Sequence, residues 1–218
     1  MTEMTEKQWH RFFIGKISEY VSDFAPEDSC FIECGVKQGT SSAIMAKNLR
    51  KNGILFDSFH GPPHFSNIDA PSEGRKKRIK RRMNTKSTRH DCVKNLKKNK
   101  VEKLCTLIEG DICETLPNFL KKQALLDVCM LHIDTDVHAP AKAALHLLWP
   151  FIVEKGVVFL HDYGDDKHWP GIRILVDEFV GCNSNLNLYV FKPNLLKAAL
   201  ITKDADPEIN HMLRKMEQ

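Results

Sequence analysis

No run of roughly eighteen apolar residues occurs anywhere in the 218-residue chain, which excludes an ordinary membrane-spanning helix. The start, MTEMTEKQWHRFF, has neither the apolar stretch of a signal peptide nor the acid-poor character of a transit peptide, so a soluble, cytoplasmic protein is expected. The seven cysteines are odd in number, with no CxxC and no paired-ligand spacing, and read as free thiols in a reducing compartment. Cys30 and Cys34 flank the end of an expected strand, and two cysteines do not complete a zinc site. Aromatics make up only 8% of the chain. Few fall in its most basic stretch, which argues against a surface built to stack bases.

What the chain does have is uneven charge. Residues 75–100, RKKRIKRRMNTKSTRHDCVKNLKKNK, hold 13 of the 32 basic residues and one acid, Asp91, for a charge of +12. The remainder carries 19 basic and 27 acidic residues, or −8. Such a block serves a nucleic acid, an anionic substrate or an acidic surface; it is equally a solvated helix or a lid.

Short apolar runs alternate with helical stretches, the pattern of βα units and a mainly parallel sheet. Strands are expected at 29–34, 53–59, 104–110, 127–134, 156–162, 187–192 and 197–202, with helices over 41–52, 75–100, 115–123, 140–151 and 170–179. An amphipathic lead-in helix precedes them. Only PNLL separates the last two strands, which forces an antiparallel hairpin at the sheet edge. The expectation is one domain, 1–218, with an N-terminal helical part (1–27) and a variable, basic, lid-like segment (60–100).

Ligands of such sheets bind beyond the carboxyl ends of the strands. After the first strand comes FIECGVKQGTSS, with Glu33, Gly35, Gly39, Thr40 and Ser41. Its E-x-G-x-x-x-G spacing is not G-x-G-x-x-G, so a dinucleotide site is disfavoured, and an acid at the loop suits a ligand with an ammonium group. Asp57, ending the second strand, can accept two hydrogen bonds from a ribose diol. Asp111, after the third, can accept one from an adenine amine.

These stretches, with LHIDTDVHAPAKAALHLLWP and GVVFLHDYGDDKHWPGIRILVDEF, resemble the class I S-adenosylmethionine-dependent methyltransferases, and within them the macrocin O-methyltransferase-like group, over roughly residues 30–180. The resemblance implies a Rossmann-like α/β fold with helices on both faces of a seven-stranded sheet. It also implies S-adenosylmethionine held by Glu33, Gly35, Gly39, Ser41, Asp57 and Asp111. It further implies a divalent cation, magnesium first and manganese or another transition metal as the alternative, held by Asp134, His161 and Asp162. Asp134 is similar to the family's general base, and Asp136 to the second acid of its D-x-D pattern. His161 departs from the pattern, standing where relatives usually carry aspartate. Four readings stay open: a softer metal, magnesium on two carboxylates and waters, a lost metal with His161 as base, or a histidine that only supports its neighbours. His138 could face the same space, and Tyr163 and Trp169 are expected on the substrate side. Asp177 and Glu178 read as structural.

The function implied is methyl transfer to a hydroxyl of a small molecule, such as a sugar or natural product, with an anionic acceptor suited to the basic segment. The alternatives are a nucleic-acid methyltransferase gripping phosphates through 75–100, against which no N-P-P-Y-like motif is found, and an inactive cofactor-binding homologue. Members of the family often dimerise, but no interface is marked in this sequence.

Overall fold

The computed structural model describes residues 4–61, 65–70, 72–77, 87–191 and 196–216. Among them, seven strands form one sheet in the order β3-β2-β1-β4-β5-β7-β6. The strands are β1 (Cys30–Cys34), β2 (Gly53–Asp57), β3 (Cys105–Glu109), β4 (Val128–Ile133), β5 (Ile152–His161), β6 (Asn187–Val190) and β7 (Ala198–Thr202). The first five run parallel; β7 is antiparallel to both β5 and β6. The expected hairpin is there, and its second strand lies inside the sheet, between β5 and β6.

Helices cover both faces, over two apolar layers. Because side chains alternate along a strand, Phe31, Met130 and Phe159 fall in one layer while Ile32, Leu131 and Leu160 fall in the other. The first layer lies under the lead-in helix, Glu6–Ser22, whose Phe13, Ile14, Ile17 and Val21 are buried in it. Thr5 and Gln8 close that helix's start with a capping box. No helix among the described residues is long and apolar enough to cross a membrane.

Three local differences from the expected elements have physical causes. First, β5 begins at Ile152 rather than 156: Val128 pairs with Ile152 and Met130 with Val157, so β5 uses five residues where β4 uses two, with Lys155 at φ +59° absorbing the excess. Second, the helix expected from Thr115 starts at Ile112, because Asp111 caps it by accepting from the Cys113 amide at 2.9 Å, and it carries Pro117 inside. Third, the basic stretch is not one described helix. It is helical at 73–77 and over Arg89–Lys98, while 78–86 lie outside the described residues. Its single acid has a local role: Asp91 pairs with Thr88 in a capping box that starts the second piece.

Candidate active site

The carboxyl ends of β1, β2, β4 and β5 open into one cleft of about 750 Å³, within the usual range for small-molecule sites. Gly35 sets its geometry. Its φ is +92°, and a Cβ there would stand 1.9 Å from the Asp134 carbonyl oxygen, so β1 can turn against the end of β4 only without a side chain. Asp57 fixes the next turn: one carboxylate oxygen accepts from the Val36 and Lys37 amides, both at 2.6 Å, and the other from Phe59 N at 2.6 Å. Gly35, Asp57 and Asp111 all line the cleft.

Asp134, Asp136, His161 and Asp162 line the same cleft. Imidazole Nδ1 of His161 lies 3.1 Å from Asp134 Oδ1 and 3.2 Å from Asp162 Oδ1. Burial opposes charge on His161, but Asp162 and Asp134 outweigh it and raise its pKa well above the ordinary histidine value. Burial likewise opposes ionisation of Asp134, yet His161 overcomes it and holds the carboxyl below the usual range. Asp136 goes the other way: burial, then the negative charges of Asp162 and Asp134, push it well above the carboxylate range. Two buried atoms of the cluster, His161 Nε2 and Asp162 Oδ2, have no hydrogen-bond partner among the described residues.

Asp134, His161 and Asp162 each offer a ligand atom within 4.8 Å of the others. With two carboxylates flanking one imidazole and Asp162 Oδ2 unpartnered among the described residues, the cluster has the donors for a divalent cation. Two carboxylates and an imidazole suit manganese, iron or zinc better than magnesium.

Other expected contacts lie elsewhere. Glu33 is fully buried, its oxygens taken by the Ser41 and Ser42 hydroxyls and by His132 Nδ1 at 2.9 Å. Neither it nor Ser41 nor Gly39 lines the cleft; strand parity turns Glu33, like Phe31, into the layer under the lead-in helix. Gly39 sits at φ +66° before the helix Thr40–Leu49, where a Cβ would meet Cys92 Sγ at 2.9 Å. His138 is turned away from the cleft, its amide donating to Asp69 Oδ1 at 2.7 Å. Tyr163 also points away, donating to Asp177 at 2.8 Å, whereas Trp169 does line the cleft.

Sequence reading missed two histidines. His132 sits within β4, registered against Glu33 of β1. His10, on the lead-in helix, lines the cleft and places its Nε2 3.3 Å from His132 Nε2, with its ring 4.4 Å from that of His161. A polar residue recurring on an otherwise apolar strand face was the available signal for His132. Nothing local marks His10, because helix docking alone brings it there.

A family model described as "Methyltransferase domain" matches residues 32–163, which span β1 to the end of β5 and therefore most of the cleft. No curated protein matches the sequence. Among solved structures, CalS11, described as a calicheamicin methyltransferase, is similar with a TM-score of 0.68 and 20% identity over 90% of this chain and 79% of its own. The O-methyltransferase NovP is similar with a TM-score of 0.69 and 18% identity over 91% of this chain and 80% of its own. TomG from Streptomyces achromogenes, an O-methyltransferase of tomaymycin synthesis solved with S-adenosylmethionine, gives 0.64 and 11% over 94% and 84%. At these identities the likenesses concern the fold.

Proposed function

The chain belongs to the class I S-adenosylmethionine-dependent methyltransferases, and from that premise we propose that it methylates a hydroxyl oxygen of a small-molecule acceptor with the help of a divalent cation. The observation that carries this reading is that Gly35, Asp57 and Asp111 line the same cleft as Asp134, His161 and Asp162. The first three suit the cofactor: Asp57 would meet the ribose hydroxyls and Asp111 the adenine amine, beside the bare turn at Gly35. Glu33 and Ser41 then act from behind, holding the turn rather than touching the ligand. The carboxylates of the cleft also suit a ligand carrying a sulfonium and an ammonium group.

Asp134, His161 and Asp162 would hold the cation, and a cation there lowers the pKa of an acceptor hydroxyl. The residues supply the rest. The cleft aligns the acceptor oxygen with the methyl carbon, so that the new C–O bond forms as the C–S bond breaks. The hydroxyl proton leaves toward Asp134, the one carboxylate of the cluster that also contacts His161 from β4. His161, flanked by two carboxylates, is held protonated in the metal-free protein, which speaks against service as the base; it would join the cation only by giving up that proton. Relatives of similar fold include sugar and natural-product O-methyltransferases, which supports a small acceptor of that kind. Gly61 and Ser87, both within the basic 60–100 segment, line the cleft, which favours an acceptor bearing phosphate or carboxylate.

The experiment is methyl transfer from labelled S-adenosylmethionine to acidic and neutral hydroxyl acceptors, with and without chelator. Loss of an O-methyl product in chelator, restored by manganese, and its loss in Asp134→Asn are the expected results. Chelator-insensitive transfer would remove the cation from the account, and methylated RNA as the main product would replace the acceptor class.

A further inference from the structure

A fully buried carboxylate needs compensating partners. Among the described residues, those hydrogen-bonded to Glu33 are the neutral hydroxyls of Ser41 and Ser42 and the Nδ1 of His132, with no lysine or arginine. The contact turns His132 so that its Nε2 faces His10. A carboxylate gripping the far nitrogen of an imidazole is the arrangement that orients and strengthens a metal-ligating histidine.

The opposing nitrogens have the matching separation. His10 Nε2 and His132 Nε2 lie 3.3 Å apart. Two imidazole nitrogens bound at about 2.0–2.1 Å to one tetrahedral ion stand about 3.4 Å from each other. Asp134 supplies a third donor, and the ligand atoms of His10, His132 and Asp134 all fall within 4.8 Å of one another. We propose that these three residues form a second metal site, for a borderline divalent cation of the zinc and iron class, sharing Asp134 with the cluster at His161 and Asp162. Two imidazoles and one carboxylate are the donor set such ions take, often with open positions for further ligands.

The site spans two elements. His132 and Asp134 come from β4 and its end, His10 from the lead-in helix, which walls one side of the cleft with Glu6 and Lys7. An ion bridging them therefore pins that wall to the carboxyl end of the central strand β4. Binding to the folded state alone raises thermal stability by mass action. The alternative occupant of the gap is a proton shared between the two nitrogens. The inference rests on the reading of this cleft as a metal-assisted active site only through Asp134, so the two can be tested apart.

The metal-stripped full chain is titrated with zinc, and separately with cobalt as a coloured probe, and bound equivalents are counted after desalting. The wild type is expected to retain two equivalents, His10→Gln one, and Asp162→Asn one. Asp162→Asn should keep the intense visible band of a tetrahedral, nitrogen-rich cobalt site, which His10→Gln should lose. Zinc should also raise the melting temperature of the wild type by more than that of His10→Gln. If His10→Gln retains as many equivalents and the same spectrum as the wild type, the contact is a shared proton and the inference falls. If Asp162→Asn loses nothing, the first cluster fails while this site stands. A measurement free of any variant follows the imidazole 15N resonances of the wild type: zinc should shift those of His10 and His132, and unmoved signals would overturn the proposal.

Discussion

A methyl group on Gly35 would stand 1.9 Å from the Asp134 carbonyl oxygen, at a backbone φ of +92°. Gly35→Ala must therefore push the β1 turn away from β4 or strain both. A loss of about 2–4 kcal/mol in denaturant unfolding is expected, together with loss of cofactor binding. Asp57 tests a different balance. It accepts three backbone amides that join two turns, so Asp57→Ala removes both a ligand contact and the anchor of the loop that carries it. Asp57→Asn keeps the size and loses the charge, and should weaken S-adenosylhomocysteine binding by at least about tenfold, a difference of about 1.4 kcal/mol by calorimetry. At this scale the sequence was legible where a residue follows a strand, as Gly35, Asp57, Asp134 and Asp162 do. It was less so for Glu33, because motif position does not say which way a strand side chain turns. Register does: Glu33 lies opposite His132, and the two bury together.

The helix His138–Leu148 starts on Val137, which offers no side-chain cap, and borrows one from far along the chain. Asp69 accepts from the His138 amide at 2.7 Å and from Ser66 N at 3.0 Å, while Gly171 leaves it room, since a Cβ there would meet Asp69 Oδ1 at 2.3 Å. Asp69→Ala should cost about 1–3 kcal/mol, as a lost cap that also leaves a buried amide unpaired. Because that helix follows the Asp134–Asp136 turn directly, the same variant should raise the KM of the acceptor. At the opposite face, Tyr20 donates to Asp206 Oδ2 at 2.6 Å and ties the lead-in helix to the C-terminal segment. Burial works against ionised Asp206, but the Tyr20 hydroxyl and the Glu208 amide outweigh it and lower its pKa below 3.8. A carboxyl lowered on folding adds stability above its unfolded pKa, and that stability is lost as pH falls through the folded value. Tyr20→Phe should therefore lose about 0.5–1.5 kcal/mol near neutral pH and show a shallower decline on acidification, read from unfolding curves between neutral pH and about pH 3. Periodicity placed nearly every element; it could not place caps supplied from a distance, nor the bulge that lengthens β5, since neither leaves a local pattern.

Across the whole molecule, charge and topology divide the work. The sheet order brings β1, β4 and β5 side by side, which joins a helix residue, a strand residue and two strand ends into the cluster around Asp134. Alternating runs of apolar and helical residues made a mainly parallel sheet with its closing hairpin readable, but not the order of its strands. The docking of the lead-in helix was not readable either, and with it His10 went unnoticed. The basic stretch adds a long-range term: Arg89, Lys94, Lys97 and Lys98 are exposed on the helix that follows Ser87, itself a lining residue of the carboxylate-rich cleft. Turnover of a phosphorylated or carboxylated acceptor should accordingly fall as salt rises from about 0.05 to 0.5 M, while that of a neutral acceptor changes little. Equal salt sensitivity would assign the stretch to something other than the acceptor. Everything proposed for the chemistry depends on the cofactor lying along Gly35, Asp57 and Asp111. Titration calorimetry of S-adenosylhomocysteine into the wild type and Asp57→Asn tests this directly: the account predicts one saturable site in the wild type, weakened at least about tenfold in the variant. Absence of binding to the folded wild type, or equal affinity in both, would contradict it.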